Sequence, residues 1–224
     1  MTVVLCGSLG STAEMWEPQA PVLSDAVIVE HPGHGAALVL DQVDVDLLAR
    51  RVLAAVAGTF SFVGLSLGGT VGIRVAALAP ERVEKLVLAC TSTVFGDPEQ
   101  WHDRAATVRA DGLEAIVDAV MARWFTPAYG GVARWRAMFL SVDPEGYARC
   151  CEALAGWDAE ADLARIEAPT LVVAGAEDPT SPPEDAYALA ARLLDARVLV
   201  LEHAAHLANI ERADAFNRLL EEHL

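Results

Sequence analysis

The sequence carries little positive charge. Its 16 Lys and Arg residues are outnumbered by 32 Asp and Glu residues, so the formal net charge is −16 over 224 residues. Recognition of the phosphate groups of nucleic acids or anionic membranes requires a basic surface, and this balance argues against both kinds of partner. We expect the acidity to serve solubility.

Cysteines are few, and none has the C-x-x-C spacing. The four residues are scattered, and the adjacent pair Cys150 and Cys151 is poorly placed to form a disulfide with itself. The N-terminus lacks the basic region and the long apolar run of a secretion signal. These absences predict reduced thiols in a cytoplasmic protein that uses no metal and no cofactor.

One long stretch lacks charge altogether. The residues between Arg51 and Arg74 would be long enough to span a bilayer. They include several glycines and hydroxyl residues, and they divide better into the end of a helix, a buried strand, a tight turn and a second helix. We therefore predict no membrane span.

Short apolar runs alternate with helical patterns along most of the chain. Apolar residues make up 54% of the sequence, which fits one folded domain with a large core. Near-continuous apolar runs predict buried strands at 3–5, 26–29, 60–63, 85–89, 170–174 and 197–201. Helical spacing predicts helices at 46–56, 69–79, 184–194 and 211–220. The alternation predicts an α/β fold with a mostly parallel sheet and helices on both faces.

The alternation breaks between about residues 95 and 166. This region has no clear strand, holds four of the five tryptophans, and shows helical patches such as 113–124. We predict a core formed by 1–95 and 167–224 and a helical cap formed by 96–166, inserted between two strands. The alternative is that these helices merely cover the sheet.

Residues 64–68 read Gly64-Leu65-Ser66-Leu67-Gly68 and match the G-x-S-x-G nucleophile elbow. A strand that turns sharply into a helix exposes the serine oxygen, and small neighbours prevent backbone clashes. The predicted strand before and helix after the motif favour a nucleophilic Ser66 over a glycine-rich turn that happens to contain serine.

A serine nucleophile requires a base and an acid that orients the base. In enzymes with this motif the acid and then the histidine follow the serine, each after a strand. We predict His206 as the base, with His203 as the competitor; His31, His34 and His102 come too early, and His223 is terminal. We predict Asp178 as the acid, with Glu177 and Asp97 as weaker alternatives. Asp178 could instead stabilise its own turn.

The oxyanion of the reaction needs backbone N–H donors. We predict the amide of Leu67, which follows the nucleophile, and that of Ser8, in the loop after the first strand. Leu9, the neighbour of Ser8, is the alternative.

The chain resembles α/β-hydrolases and, more narrowly, the 3-oxoadipate enol-lactone hydrolases of aromatic-acid catabolism. The residues that carry the resemblance lie along nearly the whole chain: Gly7-Ser8-Leu9-Gly10-Ser11 with Met15-Trp16, the elbow through Gly69, Arg123-Trp124-Phe125-Thr126-Pro127, Pro144-Glu145-Gly146-Tyr147 and Ala204-Ala205-His206-Leu207-Ala208-Asn209. Three features depart from the family pattern. Cys6-Gly7 replaces His-Gly, Glu30-His31-Pro32-Gly33-His34-Gly35 replaces Asp-x-Arg-Gly-His-Gly, and two strands that usually precede the oxyanion loop are expected to be missing or shortened.

The resemblance implies a serine esterase that hydrolyses 3-oxoadipate enol-lactone through an acyl-enzyme. Such a substrate carries a carboxylate, so we expect a cation in the pocket, with Arg123, Arg134 and Arg136 as candidates and Trp124 and Trp135 as apolar walls. Each arginine could equally be a solvated surface residue. Two alternatives stay open: another small-ester or carbon–carbon bond hydrolase, and a catalytically silent binding protein of the same fold. A homo-oligomer also stays open.

Overall fold

The computed structural model describes residues 2–23 and 25–224. Within these residues, six parallel strands form one sheet in the spatial order β2-β1-β3-β4-β5-β6. The strands are β1 (Val3–Cys6), β2 (Ala26–Ile28), β3 (Phe60–Leu65), β4 (Val83–Ala89), β5 (Thr170–Gly175) and β6 (Ala196–Leu201). All six were predicted, although β4 begins two residues before the predicted start.

The central strands are apolar because both of their faces are covered. Side chains alternate between the two faces of a strand, yet every residue of β1, β3 and β5 is buried. Each fully buried Val, Leu or Phe side chain contributes about 1.5–3 kcal/mol to folding. The edge strand β2 is short, and its residues are only partly covered or exposed.

Helices connect the strands. They are α1 (Val45–Ala55), α2 (Leu67–Leu78), α3 (Pro98–Asp111), α4 (Val117–Trp124), α5 (Val132–Leu140), α6 (Pro144–Ala155), α7 (Glu160–Leu163), α8 (Pro183–Ala190), α9 (Ala208–Glu211) and α10 (Ala213–His223). Residues 90–169, all of which the structure describes, contain α3 to α7 and no strand. The helical region was therefore predicted in the right place, between β4 and β5. Its division from the core at residues 95 and 167 stays a prediction.

Aspartates begin several of these helices. The side chain of Asp44 accepts from the Leu47 N–H at 2.7 Å at the start of α1, and Asp143 caps α6 in the same way. Asp97 caps α3 by accepting from the Glu99 N–H at 3.0 Å. Asp97 was the weaker alternative for the catalytic acid, and this geometry gives it a structural role instead.

An ion-pair cluster joins α3 to α6. The guanidinium of Arg109 on α3 lies 2.7 Å from Glu145 and 2.6 Å from Glu152, both on α6. These hydrogen bonds raise the pKa of Arg109 and lower the pKa values of both carboxyls. The cluster is partly exposed, so its contribution to stability is modest, but it fixes how the two helices face each other.

The uncharged stretch divides as predicted. Between Arg51 and Arg74 lie the end of α1, all of β3, the Ser66 turn and most of α2. Across residues 2–23 and 25–224, every helix is too short or too polar to cross a bilayer.

Candidate active site

Ser66 sits at the turn between β3 and α2 in a strained backbone conformation, with φ 58° and ψ −117°. Residues that carry a side chain rarely adopt a positive φ, and such a residue costs about 1–3 kcal/mol unless its surroundings hold it. The end of β4 holds it here. The Ser66 N–H donates to the Ala89 carbonyl at 2.9 Å, and the Thr91 hydroxyl donates to the Ser66 carbonyl at 2.9 Å.

The glycines on either side of Ser66 are required because the backbone is crowded. A Cβ on Gly64 would lie 2.2 Å from the Gly68 carbonyl oxygen, and a Cβ on Gly68 would lie 1.9 Å from the Cys6 carbonyl oxygen. The Gly68 N–H also donates to the Gly7 carbonyl at 3.0 Å. The turn is therefore packed directly onto the loop that follows β1.

His206 and Asp178 form a buried pair. The His206 Nδ1 atom lies 2.8 Å from Asp178 Oδ2, and both residues are 3% exposed. The other carboxylate oxygen, Oδ1, accepts from the N–H groups of Thr180 at 2.8 Å and Ser181 at 3.2 Å. Asp178 thus stabilises its own turn and binds the histidine at once, and Nε2 is the ring nitrogen left for other chemistry.

The competing residues of the two loops face solvent. His203 has its side chain 81% exposed, and its Nδ1 atom lies 3.8 Å from Glu177, which is also exposed. The backbone of Glu177 has a separate function, because its N–H donates to the Ala204 carbonyl at 2.9 Å and so ties the acid loop to the histidine loop.

One cavity brings these residues together. It is lined by Ser66 and His206, by Ser8 and Leu9 of the loop after β1, and by side chains of the helical region. The predicted serine and histidine are 140 positions apart in sequence, and both line this cavity, as residues of one active site must.

The loop after β1 corrects the predicted oxyanion donor. The Ser8 N–H points to the Met15 sulphur at 3.4 Å, and the Ser8 carbonyl accepts from the Ser11 hydroxyl at 2.7 Å. The Leu9 N–H has no protein acceptor among residues 2–23 and 25–224, and Leu9 lines the cavity. Leu9, the alternative, therefore fits the role better than Ser8. The predicted partner, Leu67, is the first residue of α2, where a helix N–H has no acceptor within the helix.

Two buried histidines hold this loop from outside the cavity. His34 accepts from the Gly10 N–H at Nε2 (3.0 Å) and donates to the Pro32 carbonyl from Nδ1 (3.0 Å), while His31 Nε2 donates to the Gly7 carbonyl at 2.8 Å. Burial lowers the pKa of His31 to about 4 and that of His34 to about 3. Both imidazoles are therefore neutral near pH 7, as these hydrogen bonds need. No motif or spacing in the sequence had pointed to this function.

Two arginines of the helical region line the cavity. Arg123, at the end of α4, was predicted; Arg104, on α3, was missed. Neither has a carboxylate partner among residues 2–23 and 25–224. Burial and the nearby Arg104 cation lower the pKa of Arg123. The Arg104 guanidinium also lies 4.8 Å from the centre of the Trp101 ring. Trp101 and Arg104 are one helical turn apart, and this spacing was the signal available in the sequence.

The remaining predicted pocket residues divide. Trp124 lines the cavity and is 3% exposed. Trp135 is buried elsewhere in the helical region, where its indole N–H donates to the Tyr129 hydroxyl at 2.8 Å. Arg134 pairs with Glu17 at the surface and lies over Trp135, and Arg136 pairs with Asp118. The predictions of Arg134, Arg136 and Trp135 as pocket residues were therefore wrong, because surface carboxylates and core packing already occupy these side chains.

The cysteines are poorly suited to act as nucleophiles where they lie. All four are free and buried, and burial raises the pKa of Cys6 and Cys151 to about 12, so their thiols stay protonated near pH 7. Within the described part of the chain, no three His, Cys, Asp or Glu side chains are grouped to hold a metal ion.

The sequence signature of the alpha/beta hydrolase family matches residues 3–219. The chain belongs to this family. It is 34% identical to 3-oxoadipate enol-lactonase 2 of Acinetobacter baylyi, over 98% of this chain and 86% of that protein. The crystal structure of the enol-lactonase from Burkholderia xenovorans superposes with a TM-score of 0.93 at 34% identity, covering 99% of this chain and 90% of the other.

Relatives with other names are nearly as similar. A pimeloyl-[acyl-carrier protein] methyl ester esterase of Chromobacterium violaceum is 30% identical over 88% of this chain and 82% of that protein. The comparisons therefore establish the alpha/beta hydrolase fold and family, while the substrate has to be argued from the site.

Proposed function

We propose that this alpha/beta hydrolase is a serine esterase that opens a small, carboxylate-bearing lactone, 3-oxoadipate enol-lactone. The observation that carries the proposal is a single cavity that contains Ser66, His206 and the two unpaired arginines, Arg104 and Arg123. Ser66 and His206 supply the nucleophile and the base of ester cleavage. The positive charges of the two arginines favour an anionic substrate.

In the proposed mechanism, the Ser66 oxygen attacks the lactone carbonyl while His206 Nε2 takes the hydroxyl proton. Asp178 holds the imidazole through Nδ1 and stabilises the imidazolium that forms. The tetrahedral oxyanion accepts from the amides of Leu67 and Leu9, and each such donor typically contributes about a hundredfold or more in rate.

Collapse of the tetrahedral intermediate breaks the ring carbon–oxygen bond. The leaving group is an enolate, which takes the proton held on His206 Nε2 and becomes a ketone, while the acyl group stays on Ser66 and His206 is neutral again. A water molecule, deprotonated by His206, then attacks the acyl-enzyme, and its collapse regenerates the Ser66 hydroxyl. The product of this sequence is a keto-dicarboxylate. No step requires a metal or an organic cofactor.

The arginines support an anionic substrate. The protein has a formal net charge of −16, so an anion gains little from the overall field and needs a local cation. Two guanidinium groups that face one cavity and lack carboxylate partners can bind a carboxylate by paired hydrogen bonds. The names of the enol-lactonase relatives support the same substrate class.

The proposal is tested by turnover of a panel: the enol-lactone, a carboxylate-bearing linear ester, its methyl-capped neutral analogue, and p-nitrophenyl acetate. We expect the highest kcat/KM on the enol-lactone, and a lower kcat/KM on the neutral analogue than on the charged ester. A preference for p-nitrophenyl acetate or for the neutral analogue would overturn the substrate assignment and favour a general esterase.

The nucleophile is tested separately. A fluorophosphonate should modify Ser66 in the wild-type protein, and Ser66→Ala should abolish both labelling and hydrolysis while the unfolding transition stays intact. Well-folded wild-type protein that gives no adduct would instead support a silent binding protein. Retained hydrolysis in Ser66→Ala would show that another residue is the nucleophile.

A further inference from the structure

The last residue of α9, Glu211, binds two segments that line the cavity from different parts of the chain. Its Oε1 atom accepts from the Thr126 N–H at 3.0 Å and from the Thr126 hydroxyl at 2.7 Å. Its Oε2 atom accepts from the Ala205 N–H at 2.7 Å. One oxygen therefore holds the helical region just after α4, and the other holds the histidine loop next to His206.

The two segments also pair directly through their backbones. The Leu207 N–H donates to the Trp124 carbonyl at 3.0 Å, and the His206 N–H approaches the Arg123 carbonyl at 3.4 Å. His206, Arg123 and Trp124 all line the cavity. The position of the base relative to the substrate wall thus depends on this pairing, and the Glu211 carboxylate lies at its end.

The chemistry of the contacts makes a carboxylate the fitting group. Three donors converge on Glu211, and Thr126 and Ala205 are buried. Hydrogen bonds to an ionised acceptor are roughly twice as strong as neutral ones, and a donor left unpaired in a buried place is costly. A glutamine would present an NH₂ group to one of the two segments and leave that segment without an acceptor.

We infer that Glu211 is a positioning residue that fixes His206 against the wall formed by Arg123 and Trp124. The inference rests on the proposed function, because the position of His206 matters only if it acts as a base. Glu211 acts through the two loops and does not itself line the catalytic cavity.

The test compares Glu211→Gln with Glu222→Gln, which makes the same change of charge at an exposed position of α10. We expect kcat/KM on the best substrate of the panel to fall roughly 10- to 100-fold in Glu211→Gln, since small misplacements of catalytic groups carry penalties of this size. The pH profile of kcat/KM and the rate of fluorophosphonate labelling should change as well. Glu222→Gln should match the wild type in all three.

A second pair of variants tests the contact between Glu211 and the helical region alone. It keeps the inference testable if the Glu211 variant does not fold. Thr126→Val removes the hydroxyl donor and keeps the N–H, whereas Thr126→Ser keeps both. We expect Thr126→Val to lose about 3- to 10-fold in kcat/KM, less than the full value of a hydrogen bond to a charged acceptor, because the Thr126 N–H still holds the segment on Glu211. Thr126→Ser should retain most of the wild-type kcat/KM.

The outcomes separate this inference from the proposed function. If wild-type protein neither hydrolyses the panel nor reacts with the fluorophosphonate, the proposed function fails. If the wild type is active and folded Glu211→Gln keeps the kinetics, labelling rate and pH profile of Glu222→Gln, the positioning role of Glu211 is wrong. That role is also wrong if Thr126→Val and Thr126→Ser are equally active.

Discussion

Two buried histidine sites flank Ser66, and they differ in the groups that face the ring nitrogens. In the loop after β2, the ring nitrogens of His31 and His34 face backbone groups and the Cys6 sulphur, and the two rings contact each other edge to face. In the loop after β6, His206 contacts the carboxylate of Asp178. All three rings are nearly inaccessible to solvent.

The difference shows what burial does to a histidine with and without a carboxylate. For His34, burial and its neighbour His31 lower the pKa to about 3, so the ring stays neutral and serves as a fixed donor and acceptor. For His206, Asp178 offers a negative charge that stabilises the imidazolium during a reaction. The site of His31 and His34 can therefore only hold a loop, whereas the site of His206 has the carboxylate that the proposed proton transfer needs.

We expect the largest effect from a change that removes the carboxylate next to His206 and so gives it surroundings like those of His34. In Asp178→Asn the amide oxygen can keep the bonds to Thr180 and Ser181, while the NH₂ group faces His206 Nδ1 and forces the wrong tautomer. We expect kcat to fall by about 10⁴-fold with little change in folding.

The matched control for this variant is Asp41→Asn, which removes one charge at an exposed position. Steady-state kinetics and circular dichroism check both proteins. A loss of less than tenfold in folded Asp178→Asn would show that another group orients the base.

We expect the next largest effect when the hydrogen bond from the Gly10 N–H to His34 is removed. His34→Ala frees the Gly10 N–H and lets the loop that carries Leu9 relax. We expect kcat to fall about a hundredfold with KM nearly unchanged, because a misplaced oxyanion donor affects the transition state alone. Inhibition by a boronic acid, which mimics the tetrahedral adduct, should weaken by a similar factor.

The control is His102→Ala, which removes an exposed imidazole on α3. Equal losses in kcat and in the binding of a product-like dicarboxylate would contradict a role confined to the oxyanion, since ground-state binding should not depend on Leu9.

The comparison also explains what could be predicted from the sequence. Ser66, Asp178 and His206 were predicted because the proposed chemistry requires given side chains after given strands, and the structure places them at one edge of the sheet. The strands themselves followed from the apolar runs, because buried parallel strands have a distinctive composition.

The missed features depend on information that residue types do not carry. Arg104 faces the cavity because of how α3 packs on α6, and the choice between Ser8 and Leu9 depends on which backbone N–H is free. His31 and His34 were set aside because they precede the acid in sequence. Their support of the neighbouring loop is visible only once β1 and β2 pair.

A smaller effect concerns stability against pH. His31 and His34 have folded pKa values of about 4 and 3, below the ordinary value of 6.5. The unfolded state therefore binds more protons than the folded state between pH 6.5 and about 4, so their contribution is complete above pH 6.5 and is lost as the pH falls. Each can contribute up to about 1.4 kcal/mol per pH unit in this window. Urea unfolding at pH 7 and pH 5 should show a larger drop for the wild type than for His34→Gln; equal drops would contradict the linkage.

The smallest expected effect is at His203, the competitor of His206 for the role of base. It is exposed, lies beside Glu177, and has a positive φ of 57°. Because it faces away from the cavity and is held in a conformation that favours glycine, His203→Gly should leave kcat/KM unchanged and raise the free energy of unfolding by up to about 1 kcal/mol. Kinetics and urea unfolding measure both quantities. A tenfold loss of activity in this variant would mean that His203 shares the proton transfer with His206. The pairing of His206 with Asp178 would then no longer account for catalysis.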